Sequence, residues 1–338
     1  MHSPTSYQAF IKEEFSTFRT LFVSPRPQPN RDQTDYLTLF YKNLEENGDV
    51  KYPKLHYLSA VSFWKLIFIS KPSITLLHYH WLEFQSLKSA FGLFFKWVCM
   101  ALFRFRGGTV IWTVHNLHPH QGKWIGMNES ISRSMSKVST HVLIHCKEVA
   151  ELVKDTFQIQ EHKLRIIPHP VYPLQRLSFE ESVRHLNLVL KHDFCERMPT
   201  FLFFGQISAY KQIPQTVEWL AELPQNFRIV IAGKVLKENK VEGDIVDSLD
   251  KNYSNVFFYN RALSDRDIQA LFSISDAVIL NYRAILDSGV FHLARSLETH
   301  IIARGIGCFQ EWNKTAGVSL FDSKNEFIEH IQRIVLHE

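Results

Sequence analysis

The stretch Leu280-Asn281-Tyr282-Arg283-Ala284-Ile285-Leu286-Asp287-Ser288-Gly289-Val290 joins a strand pattern to a helical one. A buried-strand signature at 276–280 leads into it, and a helix-like run at 291–297 follows. Ser288 and Gly289 therefore fall where a parallel strand gives way to the first turn of a helix. Backbone N–H groups and the helix dipole place partial positive charge there, glycine lets an anion come close, and serine can donate a hydroxyl. This chemistry is suited to holding a phosphate.

Strand-like runs alternate with helical runs on both sides of this stretch. The predicted strands are 20–25, 74–80, 109–115, 142–145 and 164–168 in the first half, and 201–205, 228–233, 256–259, 276–280 and 300–303 in the second. Such alternation favours parallel sheets wound by right-handed crossovers. We predict an α/β chain of two Rossmann-like, doubly wound domains that face a cleft, with ligands bound outside the carboxyl ends of the strands.

Length and composition agree with two domains. The chain has 338 residues and is 45% apolar, which is enough for two ordinary α/β cores. We predict an N-terminal domain over 1–172, a polar linker over 173–199, a C-terminal domain over 200–320 and a final helix over 321–338.

Net charge, cysteine spacing and the N-terminal sequence also argue against several classes of protein. A net charge of +4 is weak support for a polyanionic partner, so we expect no nucleic acid. The four cysteines show no CxxC spacing, which argues against a zinc knuckle. The first residues lack a basic segment followed by an apolar core, so we see no secretion signal and expect a cytoplasmic protein.

Glycines and cations recur at the strand ends of the second half. Gly205-Gln206-Ile207-Ser208-Ala209-Tyr210-Lys211 follows a strand directly, and Ala232-Gly233-Lys234 ends the next one. Glycine permits close approach to a ligand, and Lys211 is a mobile point charge that could reach a phosphate. Taken singly, each is also compatible with an ordinary loop, a solvated lysine or a turn glycine. Together with Ser288-Gly289 they fit a bound diphosphate.

Histidines mark the strand ends of the first half. His115 follows a continuous apolar strand and should emerge at its end, where it can bind a sugar hydroxyl or move a proton. His80 and Glu83 are further candidates, with Glu83 as the nearest carboxylate base. A rival interpretation is a metal-dependent hydrolase, since His78 and His80 share a strand face. His115, His118 or His120 could then complete a three-imidazole site. Carboxylate ligands are scarce in these segments, so we predict no metal.

The segment 87–106 combines aromatic and aliphatic residues with a few basic ones. Its charge-free stretch at 97–103 is far shorter than the roughly 20 residues of a membrane-spanning helix. It could be a core helix of the first domain. It could also be an interfacial helix that touches anionic lipid, joined there by residues 64–69.

These motifs together resemble those of GT-B nucleotide-sugar glycosyltransferases of the large family 4-like group, closest to a bacterial exopolysaccharide-type branch. The resemblance spans about residues 18–325 and is specific mainly through the order and spacing of its motifs. They are Leu77-His78-Tyr79-His80-Trp81, Trp112-Thr113-Val114-His115-Asn116-Leu117, Ile166-Ile167-Pro168-His169-Pro170, the stretch from Phe204 to Lys211, and the stretch from Asn281 to Gly289.

The resemblance implies glycosyl transfer from a nucleoside-diphosphate sugar to a saccharide or polyprenyl-linked saccharide, in polysaccharide biosynthesis. His115 matches a histidine near the donor sugar, and Glu83 would be the base of an inverting reaction. The implied donor site consists of Gly205, Gln206, Lys211, Gly233, Tyr282, Ser288 and Gly289. The implied acceptor side consists of His80, Asn116 and His118. Such enzymes usually need no metal, because protein cations and a helix end stabilise the departing diphosphate.

The sequence departs from the family pattern at three places. Gln206 stands where an arginine is usual, Ile285 and Leu293 fall near two usual glutamates, and Glu298 begins a segment where a Gly-x-Pro turn is common. These departures leave the stereochemistry open, since a retaining reaction could use the donor phosphate as the base. They also keep a second hypothesis, a non-catalytic sugar-binding or assembly partner.

Overall fold

The computed structural model describes residues 6–27, 33–45, 53–82, 87–118, 124–190, 194 and 196–336. The chain divides into two compact units, Met1–Pro170 and Val171–Glu338, here called the N-terminal and C-terminal units. Each unit contains one six-stranded sheet in which every strand pairs in parallel. The predicted α/β class with two Rossmann-like domains is therefore confirmed.

The N-terminal sheet has the strand order β2-β1-β3-β4-β5-β6. Its strands are β1 (Thr20–Ser24), β2 (Lys54–Tyr57), β3 (Thr75–Tyr79), β4 (Thr109–Thr113), β5 (His141–Ile144) and β6 (Leu164–Ile166). The helices of this unit are α1 (Tyr7–Glu14), α2 (Tyr36–Glu45), α3 (Leu87–Phe105), α4 (Ile125–Val138) and α5 (Ala150–Phe157), with a long 3₁₀ segment at Ala60–Phe68. The chain order reverses between β1 and β3, and ligands of doubly wound sheets bind at such a point.

Helices α1 and α2 cover one face of the N-terminal sheet. Phe10 of α1 and Leu37 of α2 share a buried cluster with Leu76 of β3 and Ile111 of β4. Apolar residues at helical spacing dictate this packing, since they must leave water together. The same packing places the phenol groups of these two helices next to the ends of β3 and β4.

The C-terminal sheet has the order β12-β11-β10-β7-β8-β9. Its strands are β7 (Thr200–Phe204), β8 (Arg228–Ala232), β9 (Val256–Tyr259), β10 (Ala277–Leu280), β11 (His300–Arg304) and β12 (Val318–Phe321). The helices are α6 (Phe179–Leu190), α7 (Ile213–Ala221), α8 (Lys240–Asn252), α9 (Asp265–Ile274), α10 (Gly289–Ser296) and α11 (Lys324–Val335). Renumbered within the unit, this order is 6-5-4-1-2-3, the dinucleotide-binding arrangement with its switch point between β7 and β10.

The ten predicted strands all coincide with strands of the structure, within two residues at each end. The sequence analysis missed β2 and β12, both edge strands whose residues are mostly half-buried. It also missed α1, and α6 lies inside the segment 173–199 that was interpreted as a linker. Edge strands give a weak sequence signal because their faces are incompletely covered.

Candidate active site

Three elements of the C-terminal unit converge at the switch point of its sheet. Gly205 follows β7 with a φ of +93°. A Cβ atom at this position would lie 3.0 Å from the Nζ of Lys211 and 3.5 Å from a methyl carbon of Val290, in the first turn of α10. The structure therefore brings the β7 loop, the lysine ammonium and the start of α10 together. The absence of a side chain at Gly205 leaves backbone accessible beside a cation.

Lys211 differs from the mobile, solvated charge that the sequence suggested. It is buried, and its Nζ donates a hydrogen bond to the carbonyl oxygen of Phe204 over 2.6 Å. Burial lowers the pKa of Lys211 to about 7. Tyr282 lies beneath it, with the ammonium 5.8 Å from the ring centroid. Because Tyr282 is itself fully buried, it supports the lysine and does not reach a ligand surface.

The first turn of α10 carries Ser288 and Gly289. The first intrahelical hydrogen bond runs from His292 N to Ser288 O over 3.3 Å, so the N–H groups of Gly289, Val290 and Phe291 have no partner within the helix. Gly289 and Val290 are only half-buried. The peptide at 289 is thus not enclosed in the core, as an anion-binding role requires.

Asp287 is a residue of this site that the sequence analysis missed. Its Oδ1 accepts the N–H of Ser288 over 2.8 Å and lies 2.8 Å from Nε2 of His292. One N–H of the helix start is therefore already used, and a carboxylate stands beside the predicted phosphate position. A spacing of five residues between Asp287 and His292 is not the i, i+4 pairing that sequence patterns reveal.

Gly233 and Gln206 take different places around Gly205. A Cβ atom at Gly233 would lie 1.9 Å from the carbonyl oxygen of Gly205, so glycine is needed for the two loops to pack. Its contribution is to position Gly205. Gln206 is exposed and adjoins the site without a charge.

In the N-terminal unit, His115, Asn116 and His118 line one open pocket, whose empty space of about 350 Å³ includes open solvent. The other lining residues are Trp81, Leu82, Trp112, Thr113, Val114, Leu117, Asn128 and Ser132. The carboxylate of Glu129 lies 3.8 Å from Nδ1 of His118. A half-buried histidine in a pocket with amide, hydroxyl and indole groups can bind a polar ring compound such as a sugar.

His80 does not line this pocket, contrary to its predicted acceptor-side place. It is fully buried, and its Nδ1 lies 2.9 Å from Nε2 of His115. Strand β3 is covered on both faces, so a side chain at its end points into packing. His80 therefore supports His115 from behind. Glu83 and His120 lie outside the described residues.

Two aromatic rings that the sequence analysis did not assign to the site contact His115. Trp81 stacks on it with a centroid distance of 4.4 Å and an angle of 13° between the planes. Trp81 has a φ of +30°, an unfavourable value for a residue with a side chain. Tyr36 meets His115 edge-on at 5.0 Å, and its hydroxyl lies 3.2 Å from Nε2 of His145.

The three-imidazole metal site finds no counterpart in the described ranges, which contain no group of three or more histidine, cysteine or acidic side chains able to hold a metal ion. The ring nitrogens of His78 and His80 are engaged in hydrogen bonds instead. His78 bonds to Thr113, Tyr41 and Tyr7, and His80 bonds to Tyr41 and His115.

Helix α3 has a buried face and an exposed aromatic face. Cys99, Met100 and Phe103 are buried. Large apolar side chains are exposed on the same helix and on the neighbouring 3₁₀ segment: Phe91, Phe94, Phe95, Trp97, Leu102, Phe105, Trp64 and Phe68. Of the helices in the described ranges, none is long and apolar enough to cross a membrane.

Two parallel six-stranded Rossmann-like units in one chain define the GT-B fold, which the sequence resemblance predicted. The sequence matches no protein-family model and no curated protein. Among solved structures, Anabaena HepE in complex with UDP and glucose matches with a TM-score of 0.67 and 12% identity, over 95% of this chain and 90% of that one. Sucrose-phosphate synthase from Thermosynechococcus elongatus matches with a TM-score of 0.60 and 14% identity, over 97% and 84%. The catalytic domain of starch synthase IV from Arabidopsis thaliana, bound to ADP and acarbose, has a TM-score of 0.58 and 13% identity, over 82% and 68%. At these identities the shared property is the fold.

Proposed function

We propose that the protein is a glycosyltransferase that moves a sugar from a nucleoside-diphosphate sugar to a saccharide or polyprenyl-linked saccharide, in polysaccharide biosynthesis. The observation that carries the proposal is the convergence of Gly205, the Lys211 ammonium and the first turn of α10 at the switch point of the C-terminal sheet. Solved structures of the same fold contain UDP and glucose, UDP-glucose, or ADP and acarbose, which supports a nucleotide sugar here.

The chemistry of this site suits a departing diphosphate. Negative charge develops on the phosphate oxygens as the glycosidic bond breaks, and fixed N–H groups and a cation stabilise that charge without reorganising. Gly289 and Val290 offer the N–H groups, and Lys211 offers the cation. We therefore expect no metal ion to be required.

His115 is the proposed catalytic residue of the N-terminal unit. It lines a pocket together with Asn116 and His118, which we assign to the acceptor side. If the reaction inverts the anomeric centre, Glu83 is the proposed base. If it retains the configuration, the donor phosphate would take the proton of the acceptor hydroxyl.

The test combines binding with turnover. Purified protein is screened by thermal shift against a panel of nucleoside diphosphates, since a ligand that binds the native state raises the melting temperature. Release of nucleoside diphosphate from the matching nucleotide sugar is then measured with saccharide acceptors. We expect one nucleotide to stabilise the protein, and His115→Ala to lower release far more than it lowers the melting temperature.

Matched variants sharpen this test. Lys211→Met should remove stabilisation by the nucleotide, and Lys237→Met, at an exposed position of the same unit, should keep it. Full turnover by His115→Ala would remove His115 from the site. Nucleotide binding without any release of diphosphate across acceptors would instead favour the sugar-binding partner, which the departures at Gln206, Leu293 and Glu298 suggest.

We further propose that α3 touches the inner face of the cytoplasmic membrane. Phe91 is 82% exposed and Phe105 is 89% exposed. Three exposed cations lie nearby: Arg104 on α3, Arg106 directly after it and Lys65 on the 3₁₀ segment. Aromatic side chains bordered by cations fit a bilayer that contains anionic lipid, and an acceptor carried on a lipid would be presented there.

Flotation with vesicles tests the membrane contact. The protein should float with vesicles of mixed anionic and zwitterionic lipid, and much less with purely zwitterionic ones. The double change Phe91→Glu and Phe94→Glu should abolish flotation, and Leu188→Glu, at an exposed apolar position of α6, should not. Equal flotation of all variants would contradict the proposal, and self-association lost in the double variant would assign this face to a second copy.

A further inference from the structure

A buried chain of hydrogen bonds runs inward from His115. Nε2 of His115 lies 2.9 Å from Nδ1 of His80, and Nε2 of His80 lies 2.7 Å from the hydroxyl of Tyr41. That hydroxyl lies 2.5 Å from Nδ1 of His78, whose Nε2 is 2.7 Å from Oγ1 of Thr113. Every member behind His115 is buried. Pocket surface and sheet interior are thus linked by four consecutive contacts.

Each buried member of this chain carries a single proton to donate. Burial, reinforced by neighbouring histidines, lowers the pKa of His78 and of His80 well below the usual range, so both imidazoles are neutral at pH 7. Burial raises the pKa of Tyr41 well above its usual value, so its hydroxyl keeps its proton. A neutral imidazole has one donor and one acceptor nitrogen. Fixing the direction of one hydrogen bond therefore fixes the next.

The surroundings of His78 fix that direction. The hydroxyls of Tyr41 and Tyr7 both approach its Nδ1, at 2.5 and 2.9 Å. Hydrogen bonds donated by an N–H group to oxygen are about 2.7–3.2 Å long, whereas those of hydroxyl donors reach about 2.5 Å. The 2.5 Å contact is therefore one that the Tyr41 hydroxyl donates. Nδ1 of His78 is therefore the acceptor, and the proton of Tyr41 points to it.

The remaining directions follow along the chain. Since the proton of Tyr41 is given to His78, the Tyr41 oxygen accepts from Nε2–H of His80. His80 then has an unprotonated Nδ1, which can only accept. Its neighbour Nε2 of His115 must be the donor.

We propose that Tyr41, seated between His78 and His80, sets the tautomer of His115 and keeps its proton on Nε2. Trp81 and Tyr36 restrain the His115 ring by stacking and edge contact, and the buried chain determines where its proton resides. Nδ1 of His115 is then its acceptor nitrogen. For catalysis this rests on the proposed function, in which His115 would meet substrate through an acceptor nitrogen; Tyr41 is a positioning residue.

Nitrogen NMR tests the tautomer without any substrate. Full-length protein labelled with ¹⁵N-histidine is examined at pH 7.5 by long-range ¹H–¹⁵N correlation, which distinguishes protonated from unprotonated ring nitrogens. The His115 signals are identified by their loss in His115→Gln. We expect protonated Nε2 and unprotonated Nδ1. In Tyr41→Phe, His80 loses the acceptor for its Nε2–H, so we expect His115 to lose its single-tautomer pattern.

Tyr36→Phe is the matched control, because it removes a phenol hydroxyl from the same aromatic cluster and contacts His145 outside the chain. It should leave the His115 pattern unchanged. An Nδ1-protonated His115 in the unaltered protein overturns the proposal, and so does an unchanged pattern in Tyr41→Phe. If Tyr41→Phe fails to fold, the spectrum of the unaltered protein still shows whether Nε2 or Nδ1 of His115 carries the proton. This experiment measures no turnover, so a negative result would overturn the proposed tautomer without deciding whether the protein transfers sugars.

Discussion

The Nζ of Lys211 donates a 2.6 Å hydrogen bond to the carbonyl oxygen of Phe204, the last residue of β7. This contact holds a lysine inside the switch point of the C-terminal sheet, where burial lowers its pKa to about 7. A diphosphate bound beside the ammonium would favour the charged form and raise that pKa again. Binding and protonation are therefore coupled at this site.

The first prediction is that nucleotide-sugar binding takes up a proton above pH 7. Below pH 7 the free protein already carries the charge, so affinity should be nearly independent of pH. Above pH 7 the proton must come from solvent, and the dissociation constant should rise by up to about tenfold per pH unit between pH 7.5 and 9. Calorimetry in buffers of different ionisation enthalpy measures the uptake directly.

Lys211→Met is the control for this coupling, since it keeps an unbranched chain without a charge. It should weaken binding at pH 7 by about 10- to 100-fold, the usual range for a lost charged hydrogen bond. It should also remove the proton uptake. Uptake that persists in Lys211→Met would assign the titration to another group.

The second prediction concerns the missing cation at Gln206. Its side chain is exposed next to Gly205, so Gln206→Arg should strengthen nucleoside diphosphate binding by about two- to fivefold, as expected for an exposed charge pair. The gain should vanish in 0.5 M salt because of screening. Gln225→Arg is the control, since this exposed residue precedes the amino end of β8, whereas Gln206 follows the carboxyl end of β7. An equal gain from both changes would mean a general charge effect.

The fold could be predicted from the sequence because buried parallel strands appear as continuous runs of apolar residues. All five residues of β3 and of β8 are buried, and both strands were predicted. The parallel direction of the strands also follows from the alternation of strands and helices. Residues at strand ends, such as Gly205 and Ser288, could therefore be placed near one another in advance.

The environment of a site residue depends on packing between distant segments, which periodicity does not reveal. Tyr41 lies 37 residues from His78 along the chain, yet their side chains meet. Lys211 looked like a loop lysine, and only the fold of the 3₁₀ turn at Ala209–Lys211 buries it. Sequence patterns predict which face of a helix or strand is apolar. Which polar groups become buried next to one another depends on tertiary contacts.

The third prediction concerns Glu298, which has a φ of +53°, in the left-handed region that favours glycine. The left-handed conformation costs a residue with a Cβ about 1–2 kcal/mol, and glycine returns part of this through its greater unfolded-state entropy. Glu298→Gly should therefore raise the free energy of unfolding by about 0.5–1 kcal/mol in urea titrations. Glu298→Ala retains the strain and should bring no gain. A loss of stability in Glu298→Gly would show that the glutamate side chain contributes more than its backbone costs.

The fourth prediction is that His141 makes the protein sensitive to acid. Its ring lies between Phe10 and Phe15, its Nδ1 has no hydrogen-bond partner among the described residues, and burial lowers its pKa to about 4. Between pH 6.5 and 4 the unfolded chain binds a proton at this histidine that the folded protein does not, so stability falls as the pH falls. The cost at pH 5 is about 2 kcal/mol.

Replacing His141 with leucine should remove that cost. In urea titrations His141→Leu should be more stable than the unaltered protein at pH 5 by about 2 kcal/mol, and the difference should shrink towards pH 7.5. His56→Gln, at a half-buried histidine of the edge strand β2, is the control and should not change the acid dependence. A difference that is the same at pH 5 and pH 7.5 would attribute the gain to apolar packing against Phe10 and Phe15, because only protonation makes the gain depend on pH.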